Sequence, residues 1–129
     1  MKKICKWLTA FVVVGALAGC ARTAPIDNIQ TSVGAGYSET QVKNAIFKAG
    51  VEREWIMNEA GRGVIKARQQ SRDHVAEVRI NYSASGYTIT YDNSLNMQAS
   101  GGKIHRNYNR WVNNLNKDIQ VNLSASAIK

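Results

Sequence analysis

Cysteine is nearly missing from this chain: two occur in 129 residues, Cys5 and Cys20, and none follows. From position 21 onward the chain can therefore form no disulfide, build no cysteine metal site and use no cysteine nucleophile. Proline occurs once and glycine is sparse and aperiodic, which excludes a collagen-like repeat. No heptad pattern persists, so a coiled coil is excluded, and aromatic and β-branched residues recur throughout, against disorder. Acidic residues are few, 9 against 17 Lys and Arg, for a formal charge of +8. There is no G-x-S-x-G elbow, no H-E-x-x-H and no histidine pair at helical spacing. Long apolar runs are also lacking: the longest, Trp7 to Ala18, has twelve residues, short of the roughly 20 that a bilayer core requires. The length allows one domain at most.

That run is nevertheless informative. Lys2, Lys3 and Lys6 precede it and Gly19-Cys20 follows, a basic start, apolar middle and small-residue end that read as a cleaved signal peptide over 1–19. Removing its three lysines leaves 14 basic against 9 acidic residues, a net charge of +5. Leu17-Ala18-Gly19-Cys20 resembles the lipobox of bacterial lipoproteins. The resemblance implies a diacylglyceryl group on the Cys20 thiol, cleavage before Cys20, and usually acylation of the new amino group. Two or three acyl chains hold a protein firmly where one binds marginally. Inner-membrane members commonly carry aspartate directly after the cysteine; Ala21 and Arg22 stand here, so the resemblance favours the periplasmic leaflet of the outer membrane.

The segment 20–37 is rich in small and polar residues, with Pro25, Asp27, Asn28, Gly34 and Gly36, and reads as a lipidated cysteine and flexible tether. The alternative is that part of it pairs as an edge strand. The remainder, 38–129, reads as one small domain. Ser38 is placed as a helix N-cap with Gln41 reaching back and Tyr37 stapling against Val42. Val42, Ala45, Ile46 and Ala49 share one face, with Gly50 as the stop. Strands are expected over 55–59, 64–70, 74–82 and 87–91. The clearest puts His74, Ala76, Val78, Ile80 and Tyr82 on one face, with Val75, Glu77, Arg79 and Asn81 opposite. Loops are expected at Gly61-Arg62-Gly63, at Ser83 to Gly86, and at Ser100-Gly101-Gly102, the last as entry to a second helix from about Lys103 to Leu123. Its apolar arc holds Ile104, Tyr108, Trp111, Val112, Leu115, Ile119 and Leu123. The expected fold is a two-layer α+β domain: about four antiparallel strands with both helices packed on one face, in the order α-β-β-β-β-α.

The stretches Ile104 to Val112, Ala76 to Tyr82 and Tyr87 to Tyr91 resemble a family of small proteobacterial lipoproteins of uncharacterised function. This resemblance supports compartment and fold, and it implies no catalytic residues.

Arg106, Arg110 and Lys117 fall on the polar side of the second helix and form the candidate binding patch. Lys66, Arg68 and Arg79, on the outward side of the strands, form a second basic area. His74 and His105, with Glu52, Glu54, Glu59, Asp73 and Asp92, are the residues a hydrolase would draw on, but none has motif spacing. The histidines read as boundary residues, and Trp55, Tyr82, Tyr87, Tyr91, Tyr108 and Trp111 read as core. Gly101-Gly102-Lys103 lacks the remaining residues of a phosphate loop. No catalytic residue, metal or cofactor is assigned. The expected function is that of a non-enzymatic binding or accessory module of the cell envelope; the alternative is an envelope hydrolase or an inhibitor of an envelope enzyme. The membrane, through the lipid on Cys20, is the expected partner, with a protein or anionic envelope component left open. Export argues against nucleic acid.

Overall fold

The computed structural model describes residues 22–127, so the signal segment and Cys20 lie outside the described residues. The element order is β1 (Thr23–Pro25), β2 (Ile29–Ser32), α1 (Glu39–Glu52), β3 (Ile56–Gly61), β4 (Val64–Ser71), β5 (His74–Ser83), β6 (Gly86–Leu95), β7 (Lys103–His105) and α2 (Asn107–Ala127). The fold is α+β, with a five-stranded antiparallel sheet in the order β2-β6-β5-β4-β3 and a two-stranded sheet of β1 and β7.

α1 forms as its local sequence dictates. The Ser38 hydroxyl accepts from the Gln41 N–H at 3.0 Å and the Gln41 side chain accepts from the Ser38 N–H at 2.8 Å, a complete capping box. Gly50 does not stop the helix as expected. It is buried in the last turn, where an added Cβ would overlap the Met57 side chain. The stop lies further on, with Glu54 left-handed at φ +64°. The Glu54 N–H donates to Val51 O (3.0 Å) and the Trp55 N–H to Gly50 O (2.8 Å), the two bonds of a Schellman motif.

The alternation over β4, β5 and β6 holds. Ile65, Ala67, Ala76, Val78, Ile80, Tyr87 and Ile89 are buried, while Lys66 and Arg79 on the opposite face are exposed. The sheet's inward face shares one core with Val42, Ile46 and Ala49 of α1 and with Tyr108, Val112, Leu115 and Ile119 of α2. α1 lies against β3 and β5, α2 against β2, and the helices against each other. Of the six aromatic residues expected in the core, Trp55, Tyr87 and Tyr108 are buried; Tyr82, Tyr91 and Trp111 are only partly buried at its margin.

Two expectations need correction. The segment 20–37 is not a free tether from Thr23 onward: β1 pairs with β7, and β2 pairs with β6 as the edge strand of the main sheet. Ile26, Ile29 and Val33 pack against the core, which is what draws this polar segment in. The sheet accordingly has more than four strands. The second helix begins at Asn107, not Lys103, because Lys103–His105 is a strand. Gly101 and Gly102, at φ +58° and +79°, form the tight turn before it, with Ser100 and Lys103 exchanging backbone bonds of 2.9 and 3.0 Å. Two positive φ values in a two-residue loop belong to a type I′ hairpin turn, which glycine adopts without steric cost.

Candidate functional site

The end of the molecule where the described chain begins is built from β1, β7 and the start of α2. Thr23 sits opposite His105, Ala24 opposite Ile104 and Pro25 opposite Lys103, and the Arg106 N–H donates to Arg22 O at 3.3 Å. Asn109, on the first turn of α2, clamps the end of β1 and the connection just after it. Its Oδ1 accepts from the Asp27 N–H (3.0 Å) while its Nδ2 donates to Pro25 O (2.8 Å). Asn113 Nδ2 donates to Asp27 Oδ2 at 3.2 Å, which holds the carboxylate of Asp27 against the helix.

This arrangement divides the candidate patch Arg106, Arg110 and Lys117. Arg106 precedes α2 and lies beside Arg22. Arg110 is on the first turn, its Nη2 donating to Asn107 Oδ1 at 3.0 Å. Lys117 is two turns further along, about 10 Å from Arg110 at 1.5 Å per residue, and next to Asp118, which pairs with Arg53 at 2.6 Å. That carboxylate holds the Arg53 guanidinium proton more tightly than usual. The structure thus sets Arg106 beside Arg22, with Arg110 on the first turn of α2 and Lys103 at the other end of β7, all four exposed, and leaves Lys117 further along α2 beside Asp118.

The outward sheet face is of mixed charge. Lys66 lies directly opposite Arg79, yet its Nζ is 3.6 Å from Asp92 Oδ2. Arg68 sits opposite Glu77. Asp92 is the extra residue of a β-bulge, lying between Tyr91 and Asn93, which pair with consecutive residues Val78 and Glu77. A shallow depression of about 180 Å³ on this face is lined in part by Ile56, Lys66, Arg68, Glu77 and Asp92.

Sequence reading treats the two histidines separately; the fold puts them side by side, ring centroids 5.4 Å apart. The Met97 carbonyl accepts from the His105 N–H, which ties β7 to the loop after β6. Each ring uses Nδ1 on backbone. His74 Nδ1 is 2.7 Å from Asn96 O, and since a carbonyl only accepts, this nitrogen carries the proton. His105 Nδ1 accepts from the Asn107 N–H at 3.2 Å and so caps the start of α2. Asp73 Oδ1 lies 3.9 Å from His74 Nε2. Glu59 instead pairs with Lys43, whose ammonium it holds charged to higher pH than usual. Glu54 occupies the left-handed position after α1, and Asp92 faces Lys66. Among the described residues no group of three or more His, Cys, Asp or Glu is placed to hold a metal ion.

A groove of about 590 Å³ runs between the start of α1 and the β3–β4 hairpin. Its charges face one another, Lys43 with Glu59 and Arg62 with Glu39 at 3.8 Å.

Arg22, Lys103 and Asn109 are the residues that sequence reading missed. The signal for Asn109 was the density of asparagine along α2, since asparagine is a modest helix former whose amide needs partners. Two further asparagines serve similarly: Asn116 Oδ1 accepts from Thr31 Oγ1 (2.9 Å) and the Tyr87 hydroxyl (2.5 Å), and Asn122 Nδ2 donates to Ala45 O (3.1 Å). No helix among the described residues is long and apolar enough to cross a membrane. No protein-family model matches the chain, and neither a curated protein nor a solved structure matches it.

Proposed function

We propose that this chain is a lipid-anchored protein of the bacterial cell envelope, held through Cys20 in the periplasmic leaflet of the outer membrane, whose domain works by binding and not by turnover. The observation that supports this reading most is the position of β1. Only Ala21 and Arg22 stand between Cys20 and the first strand, and that strand is fastened to β7 and to Asn109. A lipid on Cys20 would then hold the folded domain close against the bilayer. Both histidines have structural work on backbone groups, which supports the binding reading over the hydrolase or inhibitor alternative; their 5.4 Å approach is what keeps that alternative open to test.

Cys20→Ser should leave uncleaved precursor, and intact mass of the wild-type mature protein should show a chain beginning at an acylated Cys20. A mature protein beginning elsewhere without acyl chains would overturn the anchoring. An envelope hydrolytic activity lost on His105→Ala would move the reading to the enzyme.

A further inference from the structure

We propose that the end carrying Arg22, Lys103, Arg106 and Arg110 is the face that rests on the membrane, its cations meeting the phosphates of anionic phospholipid headgroups. The inference rests on the anchoring reading above and adds to it a side of the molecule and a chemistry. The first observation is reach. Cys20 is two residues from Arg22, so their Cα atoms are at most about 7 Å apart even in extended chain. The backbone of Arg22 is itself fixed, since its carbonyl accepts from the Arg106 N–H at 3.3 Å. A lipid at Cys20 therefore delivers this end of the molecule to the headgroup layer.

The second observation is charge. Four exposed cations lie along the β1–β7 pair and the start of α2: Arg106 is fastened to Arg22 by its N–H, Arg110 is on the first turn of α2, and Lys103, opposite Pro25, stands about 10 Å along the strand from Arg106. The acids of the same region are Asp27 and Asp73. The Asp27 carboxylate accepts from Asn113, and Asp73 faces His74 at the turn before β5. The other basic areas fit less well: Lys66 and Arg68 face Asp92 and Glu77 across the open sheet face, and Lys117 lies beside Asp118. Fixed cations within a Debye length of an anionic surface, about 8 Å at physiological ionic strength, are attracted with little screening. Each near the surface strengthens the contact about fivefold.

The test is a lysine footprint on the acylated full protein, purified from membranes and reconstituted into phosphatidylethanolamine vesicles with or without phosphatidylglycerol. A water-soluble acylating reagent marks Lys66, Lys103 and Lys117, read by peptide mass spectrometry. Labelling of Lys103 should fall about fivefold or more in the anionic vesicles, with Lys66 and Lys117 unchanged, and should recover at high salt. In the Arg22→Ala, Arg106→Ala, Arg110→Ala variant the two vesicle compositions should give the same Lys103 labelling. Protection of Lys66 or Lys117 in place of Lys103, or equal Lys103 labelling in both vesicles for the wild type, would overturn the proposal. If intact mass shows no lipid on Cys20 the anchoring reading fails by itself, and co-sedimentation of that protein with the two vesicle types then decides the headgroup contact, equal binding counting against it.

Discussion

At the scale of single residues, Glu54 and Tyr108 each carry a local cost. Glu54 holds φ +64° to close the Schellman motif. A side chain there costs about 1–2 kcal/mol, and glycine would give back part of the gain through a freer unfolded chain. Glu54→Gly should therefore raise stability by about 0.5–1 kcal/mol, seen as a higher urea midpoint at unchanged slope. Tyr108 is fully buried and its hydroxyl has no hydrogen-bond partner among the described residues, while its ring meets Tyr91 edge-on at 5.6 Å. Tyr108→Phe removes the unpaired hydroxyl and keeps the ring, so it should stabilise by about 1 kcal/mol. Burial, with smaller contributions from Tyr91 and Asp27, pushes the Tyr108 hydroxyl well above the ordinary tyrosine range. Burial raises Tyr87 too, with the neighbouring Thr31 hydroxyl acting in the lowering direction. The unfolded chain loses these protons near pH 10 while the folded chain keeps them. The folded state then binds more protons, and stability falls as pH climbs past about 10. Unfolding in urea at neutral pH and at about pH 11 should show that fall, smaller in Tyr108→Phe.

The elements differ in how far their sequence declares them. The capping box of α1 and the eight- and ten-residue alternations of β4, β5 and β6 are legible because the pattern is local and long. The three-residue β1 and β7 and the four-residue β2 are not, since each offers one or two apolar residues and no period can be read from so few. Ile104 and Tyr108 stand four apart and imitate one helical face; one points inward from a strand and the other from a helix. The candidate site is less legible still, because the clamp of Asn109 closes on backbone groups, which every residue possesses. Asn109→Ala should cost about 1–2 kcal/mol for its two bonds and should speed hydrogen exchange at the Asp27 amide, which donates to it. The partly buried Trp111 should lose only about 1–3 kcal/mol on change to alanine, whereas the fully buried Leu115 should lose about 2–5. Urea unfolding of the two variants side by side reads the difference.

For the whole molecule, the segment that precedes the expected 38–129 adds β1 and β2 to the sheets and further residues to the core. A chain beginning at Ser38 would lack Ile26, Ile29 and Val33 from the core and would bare the edge of β6. It should be less stable by about 3 kcal/mol or more and should associate through that edge, which urea unfolding and light scattering would detect against the chain from Cys20. The same pairing sets an order of events. Asp27 and Pro25 find their partner Asn109 at separations of 82 and 84 residues, and β1 has no strand to join until β7 has been made. The loop entropy must be met before those contacts repay it, so they form late. The first residues of the domain to emerge are thus among the last to settle, and a chain stalled during synthesis before α2 would leave the segment of β1 loose and open to proteases.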